Sequence, residues 1–136
     1  AFEKLYKEGR IKAIGVSNFN KRELENLIEH TDIVPHVNQI PFHIGLDQDT
    51  MLDLCAQKGI LVEAYSPLDK GRVLKDEIVK EIAQKYNRTP AQIALRYIVE
   101  RGAVPIPKTA NLKRMDENKA LDFALEAEDM EKLKAL

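Results

Sequence analysis

Lys108, Thr109 and Arg114 place two cations and a hydroxyl within one short stretch, Gly102-Ala-Val-Pro-Ile-Pro-Lys-Thr-Ala-Asn-Leu-Lys-Arg-Met-Asp-Glu-Asn118. Val104 and Ile106 have the character of strand residues in a short buried run, while Pro105 and Pro107 stop both pairing and any helix. Asn111 is a good N-cap for the charged helix that follows. The first N–H groups of such a helix lack partners and carry partial positive charge, so an anion there would meet two cations, a hydroxyl and a dipole. Phosphate is the anion this set suits. An ordinary solvated helix face could also contain Lys108, Lys113 and Arg114, and this stretch alone does not separate the two.

The elements that must position these groups follow a βα order. Phe2, Leu5 and Tyr6 have helical spacing and Gly9 suits a C-cap; a first helix with no lead-in suggests that something upstream has been cut away. Ile11 to Val16 predicts a buried strand ending in the polar turn Ser17-Asn18-Phe19, and Asn20 with Glu23 predicts a capping box for a helix through Leu24, Leu27 and Ile28. A second strand is expected at Pro35–Ile40, with Asn38 and Gln39 at its C-terminal end, then a loop over Pro41–Gln48 and a helix from about Asp49 to Lys58. Gly59 closes that helix. Ile60–Tyr65 predicts the third strand, followed by Ser66-Pro67. Two helices come next, one presenting Ile78, Val79, Ile82, Ala83 and Tyr86, the other opened by Thr89-Pro90-Ala-Gln92 and presenting Ile93, Ala94, Tyr97 and Ile98. After the fourth strand, a helix to about Ala120 and a last one with Met130, Leu133 and Leu136 are expected.

Four βα units with short apolar strands argue for a parallel sheet covered by helices. A doubly wound nucleotide-binding sheet would carry a Gly-x-Gly-x-x-Gly run after its first strand, and none occurs. A barrel builds its site from the C-terminal ends of many strands. Ser17 and Asn18, Gln39, Tyr65 and Ser66, and Lys108 and Thr109 all fall at such ends and would converge on one rim. Eight strands need about 250 residues; this chain has 136.

Composition narrows the partners. With 44% hydrophobic residues the chain can build a core, and 21 basic against 22 acidic residues leave a net charge of -1, so no global field favours nucleic acid or an anionic membrane. No apolar run reaches the roughly 18 residues of a membrane span and no signal-peptide pattern opens the chain, which makes a cytoplasmic setting the default expectation. The one cysteine, Cys55, allows no internal disulfide and reads as a core thiol among Met51, Leu52 and Leu54. His30, His36 and His43 lack ligand spacing, so no metal site is expected. Neither Ser17 nor Ser66 sits in a Gly-x-Ser-x-Gly elbow.

Gly9-Arg-Ile-Lys-Ala-Ile-Gly-Val-Ser-Asn-Phe19, Val37-Asn-Gln-Ile40, Glu63-Ala-Tyr-Ser-Pro-Leu68 and Ile106-Pro-Lys-Thr109 followed by Arg114, Glu117 and Asn118 closely resemble the C-terminal half of the aldo-keto reductases, over essentially the whole chain. The resemblance implies a (β/α)8 barrel of the TIM-barrel type, with this chain as one half-barrel piece covering about strands five through eight, and NADPH bound extended without a Rossmann fold. By the same resemblance, Ser17, Asn18 and Gln39 hydrogen-bond the nicotinamide carboxamide, which needs both donors and acceptors, and Tyr65 stacks under the ring, where an ordinary strand-end core role is the other possibility. Ser66 and Leu68 line the pyrophosphate with Pro67 fixing the turn. Lys108, Thr109 and Arg114 clamp the 2′-phosphate that distinguishes NADPH from NADH, and Glu117 and Asn118 hold the adenine edge.

In the family a hydride passes from nicotinamide to a substrate carbonyl while a tyrosine, tuned by aspartate, lysine and histidine, gives the proton. Those four residues belong to the N-terminal half. Their motifs do not occur here, so Tyr6, Tyr65, Tyr86 and Tyr97 are not expected to be the acid and the chain is expected to hold a cofactor cradle without a catalytic group. Pro41 stands where the family commonly has an acidic residue, and Ile44 follows His43 where a proline is frequent; both are expected in a loop near the substrate side. The partners implied are a small aldehyde or ketone and either the missing N-terminal half or a second copy, since four parallel strands leave two edges unpaired.

Overall fold

The computed structural model describes all residues from 1 to 136. Along the chain run α1 (Phe2–Lys7), β1 (Gly15–Ser17), α2 (Lys21–Glu29), β2 (Val37–Pro41), α3 (Asp49–Lys58), β3 (Leu61–Tyr65), two 3-10 turns at Asp69–Gly71 and Val73–Lys75, α4 (Glu77–Lys85), α5 (Pro90–Glu100), β4 (Ala103–Pro105), α6 (Leu112–Lys119) and α7 (Ala127–Lys134). The four strands form one parallel sheet in the order β1-β2-β3-β4. A doubly wound sheet reverses its strand order at a switch point. This sheet does not, so its sequential order is that of a barrel segment.

The local signals explain where helices start and stop. Asn20 Oδ1 accepts from Glu23 N at 3.0 Å and Glu23 Oε2 accepts from Asn20 N at 2.9 Å, which completes the capping box of α2. Thr89 and Gln92 do the same for α5 at 3.2 and 2.9 Å. α3 ends at Gly59, whose φ of +69° would strain any residue with a Cβ.

The sheet's alternation sorts residues onto two faces. Ile40, Val62, Ala64 and Ala103 turn toward the helices and join Val79, Ile82, Ile93, Ala94 and Ile98 in one contiguous core; Asn38, on the same face, is buried with its Nδ2 donating to Phe19 O at 3.1 Å. Cys55 belongs to that core, where burial pushes its thiol up. Val37, Gln39, Leu61, Glu63, Tyr65 and Val104 alternate onto the opposite face.

Several expectations fail for physical reasons. The strand expected over Ile11–Val16 shrinks to Gly15–Ser17. Ile11 N bonds back to Leu5 O at 3.4 Å, and the polar groups of Ile14 are taken by His36, so the chain before Gly15 follows α1 and the His36 loop rather than the ladder. Val104 and Ile106 are not buried; they are 43% and 40% exposed because nothing covers the inner face beside β4. Ile78 and Leu136 are also exposed, Leu136 lying beyond the end of α7. Pro41 is not in a loop but pairs in register with Tyr65; Ile44 does lie in the loop that follows, with its side chain buried in the core.

Two fastenings hold the outer helices. Asp129, only 2% exposed, accepts from Lys85 Nζ and Tyr86 Oη at 2.7 Å each, and Tyr86 Oη accepts from Glu126 N at 2.7 Å, tying α7 to α4. Burial pushes the Asp129 carboxyl up, but these donors outweigh it and hold it below the usual range. α6 buries no side chain. It is anchored just past its C-terminal end, where Gln92 Nε2 donates to Ala120 O and Arg96 Nη1 to Leu121 O, both at 3.0 Å.

Candidate functional site

In a parallel sheet all strands finish on one rim, so residues distant in sequence meet there. Ser17 Oγ and Asn18 N both donate to Gln39 O, at 3.0 and 2.9 Å. Tyr65 Oη bonds Asn18 Oδ1 at 2.9 Å, and Gln39 Nε2 donates to Glu63 Oε2 at 2.7 Å. Ser17, Asn18, Gln39 and Tyr65 are thus joined by direct bonds across three strands. This cluster offers two amides, a hydroxyl and an aromatic ring, a set able to donate to and accept from a planar carboxamide.

The chain leaves this cluster at Tyr65 and runs directly into the second one. Ser66, Pro67 and Leu68 line a cleft of about 430 Å³ together with Pro107, Lys108 and Arg114. Leu68, Lys108 and Arg114 also line an adjoining cleft of about 280 Å³, with Thr109, Glu117 and Asn118 on its wall. Every sequence-predicted residue from Ser66 onward therefore borders one of two contiguous spaces. A further cavity of about 440 Å³ lies elsewhere, between the start of α2 and the start of α3, and of the predicted residues only Asn18 borders it.

The second cluster is electropositive. Lys108 and Arg114 form no ion pair with any carboxylate, whereas Lys113 reaches Glu117 at 4.0 Å. Thr109 Oγ1 accepts from Asn111 N at 3.1 Å, which leaves its hydroxyl hydrogen to donate outward. Asn111 caps α6 by accepting from Arg114 N at 3.2 Å, and the other first-turn N–H groups of the helix stay available to an anion. Nearby, Arg72 donates to Asp69 Oδ1 at 2.7 Å and so holds that carboxyl below its usual range. His43 Nε2 lies 3.8 Å from the same oxygen.

The backbone is held in unusual conformations at this rim. Asn18, Ser66, Asp69 and Lys70 have φ between 44° and 59°, and Asn87 is the one other non-glycine with positive φ. A residue with a Cβ adopts this region at a cost of roughly 1 kcal/mol or more. Four of the five lie just after β1 and β3, at the rim where the candidate residues gather.

Glu63, Leu74 and the start of α5 at Thr89, Pro90 and Ala91 also border these surfaces, and no site role is expected for them from sequence. Glu63 was findable. It stands mid-strand between Val62 and Ala64, and the period of two places it on the same face as Tyr65.

The model of the "Aldo/keto reductase family" matches residues 1–136. The glyoxal reductase of Bacillus subtilis (strain 168) is 47% identical over 137 residues, covering 100% of this chain and 50% of that protein. The crystal structure of a Gox0644 point mutant in complex with NADPH superposes with a TM-score of 0.95 at 42% identity, covering 99% of this chain and 50% of that one. An aldo-keto reductase complexed with NADPH gives a TM-score of 0.92 at 36% identity over 98% of this chain and 45% of its own. The chain thus spans about half the length of the relatives it matches.

Proposed function

The chain belongs to the aldo/keto reductase family, and from that premise we propose that it is the cofactor-holding part of an NADPH-dependent reductase of small aldehydes and ketones. The carrying observation is the pair of unpaired cations, Lys108 and Arg114, beside Thr109 in adjoining clefts whose wall begins at Ser66, the residue that follows Tyr65 of the Ser17, Asn18, Gln39 and Tyr65 cluster. NADPH has a dianionic phosphate at one end and a carboxamide at the other, and each end meets a donor set of matching chemistry. When bound, the cofactor supplies the hydride. The chain's own residues bind and orient it: Lys108, Thr109 and Arg114 hold the 2′-phosphate, Ser66, Pro67 and Leu68 flank the pyrophosphate, Glu117 and Asn118 face the adenine, Tyr65 supports the ring, and Ser17, Asn18 and Gln39 fix which ring face is offered. None of the tyrosines is assigned as the proton donor.

We further propose that residues 1–136 form a single piece, the C-terminal half of the barrel with strands five through eight, and that the other half brings the acid. The presence of cofactor groups without a Tyr/Asp/Lys/His set supports this order. Mixing the chain with the N-terminal half of a full-length relative should restore carbonyl-dependent NADPH oxidation; restoration only by a relative's C-terminal half would reverse the placement. A second reading is a non-catalytic half-barrel that closes on another copy, favoured by the exposed Leu61, Val104 and Ile106 and the open edges of β1 and β4. A strictly monomeric chain in solution would count against it. The cofactor itself is tested by calorimetric titration: NADPH should bind more tightly than NADH, and equal affinities would refute the phosphate clamp.

A further inference from the structure

Gln39 on β2 and Asn18 just after β1 carry side-chain amides at the same rim of the sheet, and an amide can face a ligand with either its oxygen or its nitrogen. What decides is the partner on the other side. For Asn18 that partner is the Tyr65 hydroxyl at 2.9 Å, which can donate or accept and so imposes no polarity. For Gln39 the partner is the Glu63 carboxylate at 2.7 Å. A carboxylate oxygen accepts, so Gln39 turns its NH2 to Glu63 and its Oε1 away. That oxygen has no protein partner and is not among the buried polar atoms.

Glu63 is half-buried on the inner face, in register between Gln39 and Val104. A carboxylate is an expensive choice for holding a neighbouring amide, because a neutral side chain could do so with less desolvation. It is the choice that forbids the flipped amide.

We infer that Glu63 is a positioning residue that locks Gln39 with its Oε1 toward the bound nicotinamide, so that the site selects a ring substituent bearing an N–H donor, the carboxamide, over an isosteric one that lacks it. This rests on the cofactor reading above. A purely structural Glu63 would support strand pairing and affect all ligands alike. A polarity lock affects discrimination between substituents.

The test compares three probes by calorimetry on the whole chain: NADPH, its reduced 3-acetylpyridine analogue, in which a methyl replaces the carboxamide NH2, and 2′-phospho-ADP-ribose, which lacks the ring. The native chain should favour NADPH over the analogue by about two- to tenfold, the value of one hydrogen bond. In Glu63→Gln the partner becomes ambivalent, Gln39 can flip, and the preference should fall toward one while 2′-phospho-ADP-ribose binds as before. Gln39→Ala should abolish the preference, and adding Glu63→Gln to it should change nothing further. An undiminished preference in Glu63→Gln, or equal weakening of all three probes, overturns the inference. Native binding of 2′-phospho-ADP-ribose without any preference between the two dinucleotides overturns it and leaves the cofactor reading standing. Failure of the native chain to bind any of the three overturns both.

Discussion

The two faces of the sheet share the same strands and the same alternation, yet their surroundings are opposite. Toward the helices, Asn38, Ile40, Val62, Ala64 and Ala103 are no more than 4% exposed; on the inner face Leu61 and Val104 are 45% and 43% exposed, and Gln39, Glu63 and Tyr65 are half-buried. The helix-facing side is filled by the chain itself and supplies stability. The inner side carries the polar groups of the candidate site and leaves apolar surface uncovered, as expected of a barrel interior seen without its other half. The packed core and the candidate site are thus separated by the period of two along each strand, and substitutions one residue apart should have different consequences.

The widest separation is expected between Ile98 and Leu61. Ile98 is fully buried, so Ile98→Ala should cost about 3 kcal/mol in urea unfolding, whereas Leu61→Ala should cost less than about 1 kcal/mol. Equal losses would mean that the inner face is covered in solution. Next, replacing Lys108 and Arg114 together by Ala should weaken NADPH binding by about 2 kcal/mol or more, the scale of charge-assisted hydrogen bonds, without lowering the melting temperature, because neither side chain has a protein ion-pair partner. A fall in melting temperature would show these cations to be structural.

A smaller effect is expected at the cap of α5. Thr89→Ala should cost about 1 kcal/mol, and because Gln92 also holds Ala120 O beyond α6, NADPH affinity should fall slightly with it. An unchanged affinity would show α6 to be independent of that anchor. The smallest effect concerns acid. The native state favours ionised Asp129, whose carboxyl is depressed, so its contribution is complete above the ordinary aspartate value of about 4 and is lost as pH falls through the lower native one. Unfolding followed from pH 7 into that window should show a shallower pH dependence in Asp129→Asn. The same slope in both would place the acid sensitivity elsewhere than in the outer helical layer.

Much of this was readable from local chemistry. Capping boxes at Asn20 and Thr89, the Gly59 terminator and the apolar periodicity of α4 and α5 are interactions within a few residues, so their signals survive in one dimension. β1 was misjudged because Ile11 to Ile14 have strand character but their backbone groups find partners in Leu5 and His36. Val104 and Ile106 were misjudged because apolar character does not say whether anything lies opposite.

The order of the βα units, the helix boundaries and the identities of the rim residues were determined by the sequence alone, since they depend on local hydrogen bonding and alternation. Only the tertiary structure decided that Ser17, Asn18, Gln39 and Tyr65 are joined by bonds, that Glu63 constrains Gln39, and that Lys108 and Arg114 border the cleft begun by Ser66. Those facts depend on parallel register between distant strands, which brings together groups that no local pattern relates.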